Sequence, residues 1–111
     1  IKHQKSGDEI MRILWSQFAI DRLKEIFEYY AEHVNKRVAH KIRIEILSAS
    51  KYLEKHPESG QIEENLKSLK FTYRYILIGN YKLIYRIEDA DVVLINDVFD
   101  VRRDPDKMLN L

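Results

Sequence analysis

Apolar positions recur along this chain with two different periods, and the change from one to the other divides it. Arg12-Ile13-Leu14-Trp15 predicts a short strand. Ser16, directly after it, has a hydroxyl that accepts from the free N–H groups of a first helical turn. Ala19, Leu23, Ile26, Phe27, Tyr30 and Val34 then fall three and four apart, on one helical face. Asp21, Arg22, Lys24, Glu25, Glu28 and Glu32 take the other face, which predicts an amphipathic helix over 17–34. Asn35 caps a second helix, in which Ala39, Ile42, Ile46, Ala49 and Leu53 make a narrow stripe at heptad-like spacing. That helix stops before Pro57, because the residue ahead of a proline is pushed out of the helical region. Pro57-Glu58-Ser59-Gly60 then turns the chain.

Past Leu69 the period drops from 3.6 to 2. Phe71 to Ile78 has the aromatic and β-branched make-up of a strand. Gly79-Asn80 is a two-residue hairpin turn, Tyr81 to Ile87 alternates as the next strand, and Glu88-Asp89-Ala90-Asp91 turns the chain into a last strand, Val92 to Phe99. From Asp100 to Leu111 the tail is polar, with Pro105 discouraging regular structure. Consecutive strands joined by tight turns make an antiparallel meander, and two helices with a short link make an antiparallel hairpin. The expected fold class is α+β: an N-terminal strand and a two-helix hairpin packed on an antiparallel sheet, with the apolar helix faces covering one side of it.

Composition narrows the function classes. A chain of 111 residues is one domain, and 45% hydrophobic with 33% charged residues suits a globular one. Residues 1–10 are polar and are read as a tail or expression remnant, leaving 11–111 as the single domain. With no cysteine there is no disulfide framework, thiolate metal site or cysteine nucleophile, which fits a cytoplasmic setting. No apolar run approaches the ~20 residues that cross a bilayer, so no membrane partner is expected. His33 and His40 lie seven apart across a helix break, and no His, Asp or Glu spacing suits a metal; neither a metal nor a cofactor is expected. Formal net charge is only +1, yet Lys36, Arg37, Lys41, Arg43, Lys51 and Lys55 crowd into 36–56 against Glu45 and Glu54.

Four segments together carry a family resemblance. Trp15-Ser16-Gln17-Phe18-Ala19 with Leu23, Ile26 and Tyr29-Tyr30 resembles the first helix of RelE/ParE superfamily toxins. Leu53 to Gly60 resembles the end of their second helix. Arg74 with Gly79-Asn80-Tyr81-Lys82-Leu83-Ile84-Tyr85-Arg86 resembles their central strand pair, and Val98 to Pro105 the end of the last strand and the tail of ParE-like members. Most of these are core and turn residues; their order and spacing over about 12–107 carry the signal. The resemblance implies the toxin of a type II toxin–antitoxin (plasmid stabilisation) system, held inactive by a cognate antitoxin whose extended or helical segment buries along apolar grooves. It also implies one of two targets. ParE-like members inhibit DNA gyrase and are not enzymes; RelE-like members cut mRNA on the ribosome.

A metal-free RNA-cutting site needs a base for the 2′-hydroxyl, a cation for the phosphorane and a proton donor for the leaving oxygen. Candidate cations are Arg74, Arg86, Arg102 and Arg103; solvated arginines are the plainer reading of each. RelE-like ribonucleases commonly carry a tyrosine or histidine beyond the C-terminal arginine, whereas Asp104 to Leu111 has neither. His3, His33, His40 and His56 all precede the sheet, and a ribosome-bound protein is expected to be markedly basic. Tyr73, Tyr75, Tyr81 and Tyr85 suit base stacking, but alternation assigns most of them to one core face. The sequence therefore favours the ParE-like branch, with Arg74 and the Val98–Arg103 strand end on the working surface. The alternatives are a RelE-like endonuclease and an inactive antitoxin-binding relic.

Overall fold

The computed structural model describes residues 10–110. Strand β1 (Arg12–Trp15) leads into helix α1 (Gln17–His33), which Ser16 caps by accepting from the Ala19 amide at 3.1 Å. Asn35 Oδ1 accepts from the Val38 amide at 2.9 Å and starts helix α2 (Lys36–Tyr52). A side-chain cap at each entry satisfies amides that have no partner within the helix. After the 57–60 turn come β2 (Gln61–Ile62), a 3-10 turn (Glu64–Leu66), β3 (Arg74–Ile78), β4 (Tyr81–Asp89), β5 (Val92–Asp100) and C-terminal 3-10 turns (Pro105–Asn110). Gly79 opens the β3–β4 hairpin with φ 57, a left-handed backbone that side chains disfavour.

The five strands lie in the order β1-β5-β4-β3-β2. The meander expected from the sequence is present as β3-β4-β5. The sheet as a whole is mixed, because β1 pairs with β5 in parallel, Arg12 opposite Val92 through Trp15 opposite Ile95. Parallel pairing needs a long crossover, here most of the chain, so no local turn signals it. Two-residue β2, pairing Gln61 with Tyr75 and Ile62 with Arg74, is too short to show a period. The third strand starts at Arg74 rather than Phe71, and the tail, expected to be irregular, forms a 3-10 turn from Pro105 that extended Met108 and left-handed Leu109 interrupt. Residues 1–9 of the expected tail lie outside the described residues.

Both helices pack on one face of the sheet. Ala19 and Ile26 of α1 and Ile46 of α2 meet Leu83, Tyr85, Val93, Ile95 and Val98 there. Val34, expected on the apolar face of α1, is the residue that ends the helix and is exposed. The opposite face is covered too: Leu66 and Met108, from the two 3-10 segments, close over Ile84 and Phe99. Cross-strand register divides the tyrosines. Tyr81 sits opposite Ile78 and Tyr85 opposite Arg74, and both belong to the helix-side core; Tyr75 sits opposite Ile84 and packs, with Tyr73, on the far side. The expectation that most of them share one face fails because the two strands of this hairpin have opposite parity.

Candidate functional site

Where β5 runs out past α1, the chain leaves an open cleft of about 460 Å³. Arg22, Glu25 and Tyr29 descend into it from α1, one helical turn apart. Tyr81 and Val98 form its floor, and Asp100, Arg102 and Arg103 its far wall. The sequence placed Arg22 and Glu25 on the solvated face of an amphipathic helix and gave Tyr29 no face; periodicity does not distinguish a solvated face from a cleft wall.

The cleft is strongly charged and internally paired. Arg102 grips Asp100 through Nε at 2.9 Å and Nη2 at 2.8 Å, an ion pair that lowers the Asp100 pKa and raises that of Arg102. Arg22 donates to Glu25 at 2.9 Å, and its guanidinium lies over the Phe18 ring. Its Nε also approaches Asp97, which is fully buried, at 3.8 Å, too far for a hydrogen bond. The other Asp97 oxygen accepts from the Leu109 amide at 2.9 Å. Burial outweighs these contacts and pushes the Asp97 carboxyl above the usual carboxylate range. Tyr81 donates a long hydrogen bond, 3.4 Å, to the Tyr30 hydroxyl, and burial raises its pKa, so it stays protonated. Among the described residues no carboxylate lies within ion-pair distance of Arg103, leaving its guanidinium available.

Of the four arginines singled out in the sequence, the fold brings Arg102 and Arg103 together and holds the other two elsewhere. Arg74 Nη1 donates to the backbone carbonyls of Gly60 at 2.9 Å and Glu58 at 3.3 Å. The Tyr85 hydroxyl donates to Pro57 O at 2.7 Å and accepts from the Gly60 amide at 2.9 Å, so two side chains from adjacent strands lock the 57–60 turn. A Cβ at Gly60 would stand 2.5 Å from that hydroxyl. Arg86 lies across the Phe71 ring at 3.9 Å and pairs with Glu88. Arg74 is opposite Tyr85 in the ladder while Arg86 follows Tyr85, so the two point to opposite faces of the sheet. His33, His40 and His56 are exposed on the helical side, away from the cleft.

The pattern of the family described as "ParE toxin of type II toxin-antitoxin system, parDE" matches residues 13–105. The chain belongs to the ParE toxin family. As a toxin of that family it has an antitoxin as partner. A solved structure titled "Chromosomal ParDE TA system from P. aeruginosa" shares the fold, with a TM-score of 0.68 at 17% identity over 82% of this chain and 96% of that one. No curated protein sequence matches at a significant level. The family match spans β1 through the start of the C-terminal turns and takes in every residue of the cleft. Among the described residues, no three His, Asp or Glu side chains group as metal ligands, and no helix is long and apolar enough to cross a membrane.

Proposed function

We propose that this ParE-family chain arrests growth by binding and inhibiting DNA gyrase through protein contacts, without cutting nucleic acid. The observation that carries this reading is the scatter of its candidate cations. Cleaving RNA without a metal requires a base, a cation and a proton donor within reach of one phosphate. Here Arg74 and Arg86 are separated by the sheet, and both are occupied by partners of their own. Lys82 is drawn to buried Glu63 at 2.7 Å, and the face around it is closed by Leu66 and Met108. Arg102 and Arg103 stand beyond the end of β5, and the acids lining their cleft, Glu25 and Asp100, are bound by Arg22 and Arg102, so neither is free to act as a base. Such a site recognises a partner's carboxylates and apolar side chains better than it performs acid–base chemistry. We assign the working surface to this cleft and the Val98–Arg103 strand end.

The antitoxin needs a separate, apolar groove. One of about 400 Å³ lies between α2 and β3, lined by Ala49, Tyr52, Gly60 and Leu77. Beside it the β3 backbone beyond Tyr75 has no strand partner on the β2 side among the described residues, an edge that an extended segment can extend.

The deciding experiment is a supercoiling assay with purified bacterial gyrase, run beside translation of an mRNA on purified ribosomes. Loss of supercoiling with the message intact is the expected result. Cuts in ribosome-bound mRNA with supercoiling unaffected would overturn the proposal in favour of the RelE-like reading. No effect in either, and no growth arrest on expression, would leave an inactive antitoxin-binding relic.

A further inference from the structure

The outward side of α2 takes no part in the core, the cleft or the apolar groove along β3, apart from Tyr52 at its margin. At 3.6 residues per turn, Arg37, Lys41 and Lys51 fall on the half facing away from buried Ala39, Ile46 and Ser50, and Lys36 flanks them at the helix start. All four are exposed, and among the described residues none has a carboxylate within ion-pair distance. The one acid in the helix, Glu45, lies on the same half, four residues after Lys41. From Arg37 to Lys51 the row runs about 20 Å at 1.5 Å per residue, and exposed Lys55 continues it in the turn that follows. The whole chain is only +1, while α2 alone holds five cations against one carboxylate. The remaining residues are therefore net acidic, and a polyanion is attracted from this one side.

We propose that this face of α2 is a backbone-contact surface for duplex DNA, lying along a phosphate row without reading sequence. Unpaired cations held near both ends of a rigid helix suit the continuous charge of a duplex, about one per 1.7 Å of axis. Single-stranded nucleic acid is held through aromatic stacking. The only tyrosine here, Tyr52, lies at the margin and is already stacked on His56, with ring centroids 4.4 Å apart. An acidic protein would use the exposed Ile44 and Leu47 on the same half, but two apolar side chains among four unpaired cations make a charge-led face. The proposal stands independently of the gyrase reading.

The test is fluorescence anisotropy of the full chain with a labelled duplex of about 20 base pairs and mixed sequence, from low to physiological salt. The wild type is expected to bind with Kd of roughly 10–100 μM at physiological salt and much more tightly below it. Replacing Lys36, Arg37, Lys41 and Lys51 together with Gln should weaken binding at least tenfold. It should also flatten the slope of log K against log salt by about 0.9 for each phosphate that is no longer neutralised. Lys24, Lys67, Lys70 and Lys107, also exposed, replaced together with Gln, make the same change in net charge and are expected to leave the slope as it was. Equal losses from both sets would show net charge alone at work and overturn the proposal, as would no binding by the wild type at low salt. Poly-L-glutamate binding the same four residues more tightly than the duplex, at equal charge concentration, would reassign the face to an acidic polypeptide and overturn it as well.

Discussion

Arg74 and Arg103 are both arginines near the resembling segments, and the fold gives them different tasks. Arg74 holds two turn carbonyls, so Arg74→Ala should lower stability by roughly 1–2 kcal/mol through removal of charge-assisted hydrogen bonds. Arg103→Ala should leave the melting temperature unchanged and, if the cleft is the working surface, reduce growth arrest. Thermal melts beside growth curves separate the two; an Arg74→Ala protein that melts normally but is inactive would return Arg74 to the site. Asp97 offers a second test at this scale. Its pKa is raised on folding by burial, so the folded state holds the proton more tightly. Stability therefore falls as pH rises from the unfolded to the folded pKa, and stays lower above it. Asp97→Asn should raise the melting temperature at neutral pH by roughly 4 °C, the shift about 1 kcal/mol makes at this size. That gain should shrink as pH falls toward the usual carboxylate range. A lower melting point at neutral pH would mean that the Arg22 attraction outweighs the burial penalty. Glu63 has the opposite sign. Burial alone would raise its pKa, but the hydrogen bonds from Lys82 and Asn65 prevail and lower it. Its contribution is present above the unfolded pKa and lost as pH falls through the folded one.

Among the elements, the helices were legible to within a residue or two, because stripe, cap and breaker all agreed: Ser16 and Asn35 cap where the apolar rows begin. The C-terminal segment was not. Met108 looks like one apolar residue in a polar tail, yet it is almost fully buried against Leu66, Ile84 and Phe99, and Asp97 holds the adjacent Leu109 amide. A single anchor has no period, so only the surface it meets reveals it. Met108→Ala should cost roughly 2–4 kcal/mol, as for other large-to-small changes in a packed core. It should also open the chain after Lys107 to trypsin. Unchanged resistance to trypsin would mean that the 3-10 turns hold without their anchor. The cleft was half legible: Arg102 and Arg103 were singled out, but Arg22, Glu25 and Tyr29 were not, since a helix that lines a cleft and one that faces water share the same pattern.

For the whole molecule, β1 is the piece that joins the halves. It pairs with β5 and, through Trp15 Nε1 donating to Ser50 Oγ at 3.1 Å, ties the sheet to α2. The helical hairpin should therefore not melt ahead of the sheet. Urea unfolding followed by the fluorescence of Trp15, the single tryptophan, should coincide with that followed by far-ultraviolet circular dichroism. Two separated transitions would mean that the hairpin is a unit of its own.

The sequence by itself determined the helix hairpin, the three-stranded meander and the family, because each rests on local periodicity, caps and turns, or on the order of short segments. Tertiary structure alone decided the parallel β1–β5 pairing, the covered second face of the sheet, and which arginines share a surface. Those depend on residues far apart in the chain, such as Arg12 with Val92 and Arg22 with Asp97, whose meeting leaves no mark in the local pattern of either.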